Sequence, residues 1–117
     1  MGNRVLGNYR DRLDIIADIL QVASHEAKKT QIMYQANLSY RVLQRYLNEV
    51  TDASLLQFMD ENQSYLITSK GQDYLSAYKE YSRTNKSIEK RLNDFSNKRR
   101  FLEDMCSDSE NIEAAAP

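Results

Sequence analysis

Apolar residues recur at helical spacing near the start of the chain. Leu13, Ile16, Ala17, Leu20 and Ala23 share one face, with Asp11, Asp14 and Asp18 opposite. This predicts a first helix from about Tyr9 to Ser24. Thr30 can cap a short second helix that ends near Gln35 and buries Ile32 and Met33. Ala36-Asn37-Leu38 forms a tight connection. A third helix is expected from about Ser39 to Thr51, with Leu43, Leu47 and Val50 as its apolar stripe and Tyr46 beside them. The period then changes. Leu55–Met59 and Ser64–Thr68 are short apolar runs around the turn-rich tetrad Asp60-Glu61-Asn62-Gln63, so they read as a two-stranded hairpin. A lone hairpin is marginal in water and must pack on the helices.

From Ser69 to about Cys106 the pattern reads as one helix, about 55 Å long at its standard rise. Gly71 near its start is a mild flaw. Tyr74, Tyr78, Tyr81, Asn85, Ile88, Leu92, Phe95, Arg99, Leu102 and Cys106 follow alternating steps of four and three, the a/d seam of a coiled coil. Packing on the helix's own domain would account for Tyr74 to Tyr81, and these tyrosines are expected to dock the helix rather than stack on bases. The far end outruns so small a domain. Its apolar residues need a partner, and a second copy of the chain is the simplest one. The expected dimer seam is Tyr81, Asn85, Ile88, Leu92, Phe95, Arg99 and Leu102. Polar Asn85 and Arg99 would help set its register at a cost in stability. Residues 9–70 thus form one domain, 71–106 a dimerising helix, and 107–117 an acidic tail whose composition reads as disordered.

Composition narrows the chemistry. The 117 residues carry 16 Lys+Arg and 17 Asp+Glu, a net charge of -1, so any nucleic-acid site must be local. One cysteine, Cys106, and one histidine, His25, leave no disulfide framework and no clustered metal ligands. No window is apolar enough to span a membrane. The N-terminus lacks the apolar run of a signal peptide, and Leu6 breaks a myristoylation pattern. A cytoplasmic, reducing setting is expected. No phosphate-cradling glycine loop is present, and neither His25 nor Cys106 sits in a recognisable acid–base or nucleophilic set. An enzyme, a cofactor or a small-molecule ligand is therefore not expected. Proline occurs only at Pro117 and glycine only at Gly2, Gly7 and Gly71, which favours a mainly helical chain.

Helix, helix, tight connection, helix and hairpin, in that order, read as a winged helix-turn-helix followed by a long coiled-coil helix: mainly α with a small β-hairpin. The charges agree. From Ala27 to Asn48 there is no acid, while Lys28, Lys29, Arg41 and Arg45 are basic. With Leu43, Leu47 and Val50 facing inward, Tyr40, Arg41, Gln44, Arg45 and Asn48 fall on the outer face of the third helix. Arg can pair with guanine and Gln with adenine in a major groove. Ser39 at the helix start can donate to a phosphate. Lys28, Lys29 and Thr30 at the second helix suit contacts that position without specifying.

The runs 13–20 (LDIIADIL), 27–40 (AKKTQIMYQANLSY), Leu43 with Tyr46-Leu47, and 65–71 (YLITSKG) resemble the small dimeric archaeal winged-helix DNA-binding proteins typified by the Sulfolobus ten-kilodalton a-type chromatin-associated proteins. The resemblance covers about residues 9–83. It implies two winged domains joined through an antiparallel coiled coil. It also implies double-stranded DNA contacts from Ser39, Tyr40, Arg41, Gln44 and Arg45, supported by Lys28 and Lys29. The wing departs from the pattern, because Asp60 and Glu61 at its tip would be repelled by phosphate. At most Asn62, Gln63 and Ser64 would take part there.

The expected function is that of a homodimeric DNA-binding protein, either a transcription regulator or a nucleoid-associated protein. The alternative is a winged-helix protein–protein interaction module. The acidic wing favours this alternative and the acid-free stretch opposes it.

Overall fold

The computed structural model describes residues 10–115, with side chains described as far as Ser107. The start of the first helix expected at Tyr9 falls outside the described residues, whereas the helix expected to end near Cys106 runs on through most of the 107–117 segment read as a disordered tail, as far as Ala115. The elements run α1 (Arg12–Val22), a short 3-10 turn (Ala23–His25), β1 (Ala27–Lys28), α2 (Lys29–Gln35), α3 (Tyr40–Asp52), β2 (Leu56–Met59), β3 (Ser64–Ile67) and α4 (Ser69–Ala115).

Local chemistry explains the boundaries. Asp11 caps α1 by accepting from the Asp14 amide at 3.0 Å, and the Asp14 carboxylate accepts in return from the Asp11 amide at 3.1 Å. This reciprocal box satisfies two amides that the first turn would leave unpaired. Ser39 caps α3 by accepting from the Val42 amide. Both α2 and α3 end in a left-handed residue, Asn37 (φ 54°) and Ser54 (φ 65°). Behind these, Leu38 N–H returns to the Met33 carbonyl and Leu55 N–H to that of Val50. That pairing closes the last helical turn and reverses the chain without glycine.

The sheet corrects the sequence reading. It has three strands in the order β1-β3-β2, all antiparallel, rather than a two-stranded hairpin. Ala27 pairs with Tyr65 and Lys28 with Ser64. On the other edge the hairpin runs from Leu56↔Ile67 to Met59↔Ser64. The extra strand consumes the residues just before α2. As a result α2 begins at Lys29 with Lys28 at its cap position and no side-chain cap, and Thr30 is not the cap.

One core unites these elements. Ile16, Ile19 and Leu20 of α1 meet Ile32 of α2, Leu43, Leu47 and Val50 of α3, and Leu56 and Ile67 of the sheet. Each such side chain, removed from water, contributes about 1.5–3 kcal/mol. The start of α4 closes the core, with Tyr74 and Leu75 packed against it. Gly71 is required there. A Cβ at this position would lie 2.3 Å from the Leu55 carbonyl oxygen and 2.6 Å from Ile67. Beyond this docked stretch α4 leaves the domain, and residues 91–107 are exposed without exception.

Candidate nucleic-acid interface

The turn between α2 and α3 is held by a residue far off in sequence. Arg10 donates to the Ala36 carbonyl at 2.6 Å, to the Asn37 carbonyl at 2.7 Å and to Asp18 of α1 at 2.8 Å. One guanidinium thus ties the end of α2 to α1 and fixes how α3 leaves the turn. Nothing in the local pattern announced this role.

The stripe Leu43, Leu47 and Val50 is buried as expected, and Tyr46 is buried with it. Tyr40, Arg41, Arg45 and Asn48 are exposed, and Gln44 is half-buried. Tyr40 is 61% exposed, which is unusual for a large ring. Arg45 lies over the Tyr46 ring, 5.1 Å from its centroid. That contact steadies the guanidinium while leaving its N–H edge open. Among the described residues neither Arg41 nor Arg45 enters an ion pair. Glu49, next to Asn48 in the sequence, is bridged to Arg12 of α1. The Glu49 carboxylate holds the Arg12 guanidinium above its ordinary pKa, chiefly through their hydrogen bond. The outer face of α3 therefore keeps its positive charge.

Lys28, Lys29 and Thr30 separate in role. Lys28 and Thr30 are exposed, Lys28 as the last residue of β1 and Thr30 in the first turn of α2. Lys29 is half-buried and turns toward α3. Its ammonium donates to the Tyr40 hydroxyl at 3.2 Å and to Gln44 Oε1, and stands 4.7 Å from the Tyr40 ring centroid. Gln44 Nε2 in turn donates to Asn48 Oδ1 at 3.3 Å. The structure thus joins Lys29, Tyr40, Gln44 and Asn48 in one network that sequence spacing did not anticipate, because Lys29 and Gln44 stand in different helices.

The wing tip is engaged within the domain. Asn62 donates to the Glu26 carboxylate at 2.8 Å, and buried Ser64 donates to the same oxygen. These two bonds, Ser64 first, hold the Glu26 carboxyl below its ordinary pKa. Gln63 donates to the Asp60 carbonyl. The three wing residues expected to be available to a partner are thus occupied in bracing the hairpin, while Asp60 and Glu61 remain exposed. Among the described residues no group of His, Cys, Asp and Glu is arranged to hold a metal ion. No helix there is long and apolar enough to cross a membrane.

The seam residues all lie on α4. Tyr81, Ile88, Leu92, Phe95 and Leu102 are exposed large apolar groups. Arg99 is exposed and bonded to Glu103 at 3.2 Å, and Asn85 is half-buried.

Comparison with known proteins places this architecture. The chain is 36% identical over 75 residues to an uncharacterized protein of Methanocaldococcus jannaschii; the match takes in 63% of this chain and 35% of the relative. The chain thus spans about a third of that relative's length. Among solved structures it is similar to that of Sso10a-2, a DNA-binding protein from Sulfolobus solfataricus. The TM-score is 0.61 at 29% identity, over 80% of this chain and 95% of the other. The profile of the winged helix-turn-helix family matches residues 9–86, well over half of the sequence, and its span takes in α1 through the docked part of α4. The chain belongs to the winged helix-turn-helix family.

Proposed function

We propose that this chain is a homodimeric double-stranded-DNA-binding protein, acting as a transcription regulator or a nucleoid-associated protein, that lays α3 in the major groove. One observation carries the reading. The outer face of α3 presents Arg41 and Arg45 with no acidic partner among the described residues, in a chain whose acids slightly outnumber its bases. The similarity to a DNA-binding protein of Sulfolobus solfataricus supports the same reading. Lys28, Thr30, Ser39 and Tyr40 flank that face and serve the phosphates and sugars, which position without specifying. The acidic, internally bonded wing contributes little.

Fluorescence anisotropy on a random-sequence duplex across a salt series tests this. Lys29 is held within the protein, so Lys28, Arg41 and Arg45 are the cations left to meet the DNA. A log–log salt slope of about -2.7 per domain is expected, at roughly 0.9 per contact. Replacing Arg41 and Arg45 together with Ala should weaken binding by about 2 kcal/mol or more and flatten that slope. Binding indifferent to salt and to this double change would overturn the reading.

A further inference from the structure

The network on the outer face of α3 has a direction, and Lys29 sets it. An ammonium only donates. The Gln44 amide must therefore turn its oxygen to Lys29, which sends Nε2 toward Asn48. Asn48 answers with Oδ1 and is left with its Nδ2 donors. The Tyr40 hydroxyl oxygen also accepts from Lys29, so its O–H remains to donate. Along this network each side-chain acceptor already takes a donor from within the protein. The groups left over are donors, beside two arginines that can only donate.

We infer that Lys29 is a specificity-determining positioning residue: by holding the Gln44 oxygen, it makes α3 read acceptor edges, so that the helix prefers guanine to adenine. In the major groove guanine offers two adjacent acceptors, N7 and O6. Adenine offers N7 beside an N6 donor, and a paired amide contact to it needs a free amide oxygen. With its oxygen bonded to Lys29 and its nitrogen to Asn48, the Gln44 amide cannot turn its O/N fork onto an adenine edge without giving up one of those bonds. Residue type alone would instead pair Gln44 with adenine. The inference rests on the DNA-binding reading above.

The test uses the full chain and three duplexes of equal length at one salt concentration. One contains only G·C pairs, one only A·T pairs, and one replaces guanine with 7-deazaguanine, which lacks the N7 acceptor. The G·C duplex should bind about tenfold more tightly than A·T, the discrimination one paired contact supplies. The 7-deazaguanine duplex should lose most of that advantage. Lys29→Met should weaken binding to both natural duplexes but bring their ratio toward one. Lys29→Arg, which also only donates, should keep the preference. Equal affinity for the two natural duplexes, or indifference to 7-deazaguanine, overturns the inference. These two arms use the unmodified chain and hold even if a Lys29 variant does not fold. An unchanged ratio in a folded Lys29→Met protein overturns it as well. Failure to bind any duplex would instead overturn the proposed function.

Discussion

Two tyrosine hydroxyls fasten α4 to α1. Tyr74 donates to the Leu13 carbonyl at 2.9 Å, and Tyr78 donates to the buried Asp14 carboxylate. Their rings stack, 6.3 Å apart and within 7° of parallel. The Asp14 bond matters because a buried carboxylate without partners would be costly. Burial, the largest cause, pushes the Tyr74 hydroxyl up to about 12 from 10. The consequence for stability has a definite sign. Between these two values the unfolded chain loses the proton and the folded chain keeps it, so the unfolded state binds fewer protons and stability falls as pH rises. Tyr74's contribution is therefore whole below about pH 10 and lost on the way to about 12. Urea titrations at successive alkaline pH should show this decline. Tyr74→Phe should flatten it while lowering stability near neutrality by about 1 kcal/mol, the worth of one hydrogen bond. An unchanged alkaline slope in Tyr74→Phe would assign the decline to other groups. That these tyrosines dock α4 was legible in the sequence, because their spacing matches a helix face. Arg10 was not legible, because a capping contact made across 26 residues leaves no periodic mark.

At the scale of elements, Gly71 shows where propensity misleads. Glycine inside a helix costs roughly 0.5–1 kcal/mol relative to alanine, so Gly71→Ala would be expected to stabilise α4. The first turns of α4 press against the end of β3 and the residue just before β2, with Leu55 carbonyl oxygen and Ile67 in the way of any Cβ. A backbone atom cannot move aside as a side-chain tip can, and overpacking typically costs about 1–3 kcal/mol. Gly71→Ala should therefore lower the urea midpoint, with a net loss of about 1–2 kcal/mol. A rise would mean that α4 can shift outward freely. The same scale explains what could and could not be read beforehand. The helices carried a 3.6-residue pattern and the hairpin a turn signal between apolar runs. β1 has two residues, too few for any period, and exists because β3 has a free edge beside it. The order of elements was legible, as was the outward set Tyr40, Arg41 and Arg45, which follows from the buried stripe alone. The coupling of Lys29 to Gln44 depends on how α2 sits against α3, which no single helix encodes.

The whole molecule is elongated, 85 by 26 by 19 Å, with a radius of gyration of 22.3 Å. A compact chain of this length would have about 13 Å. The difference is α4, which carries Ile88, Leu92, Phe95 and Leu102 away from the domain at 46%, 47%, 62% and 62% exposure. Phe101, also exposed, lies off their stripe, and the seam does not explain it. A helix of this reach has little to hold it without a partner, because most helical stability in proteins comes from packing one face. The proposed homodimer supplies that face and joins two α3 surfaces in one particle. Two linked sites then bind with far more affinity than either alone, because the second contact is intramolecular. Replacing Ile88 and Leu92 together with Asp puts like charges into the seam of both copies. Sedimentation equilibrium should then report a monomer, against the dimer proposed for the unmodified chain. Helical circular dichroism should fall as the far end of α4 loses order. The thermal transition of the domain should persist, since neither residue belongs to its core. In DNA binding the doubly substituted chain should keep the salt slope of one domain and lose about a hundredfold in apparent affinity, the lower end of what linkage confers. An unmodified chain that stays monomeric on concentration would remove the dimer from this account while leaving the α3 interface standing, because that surface is complete within one copy.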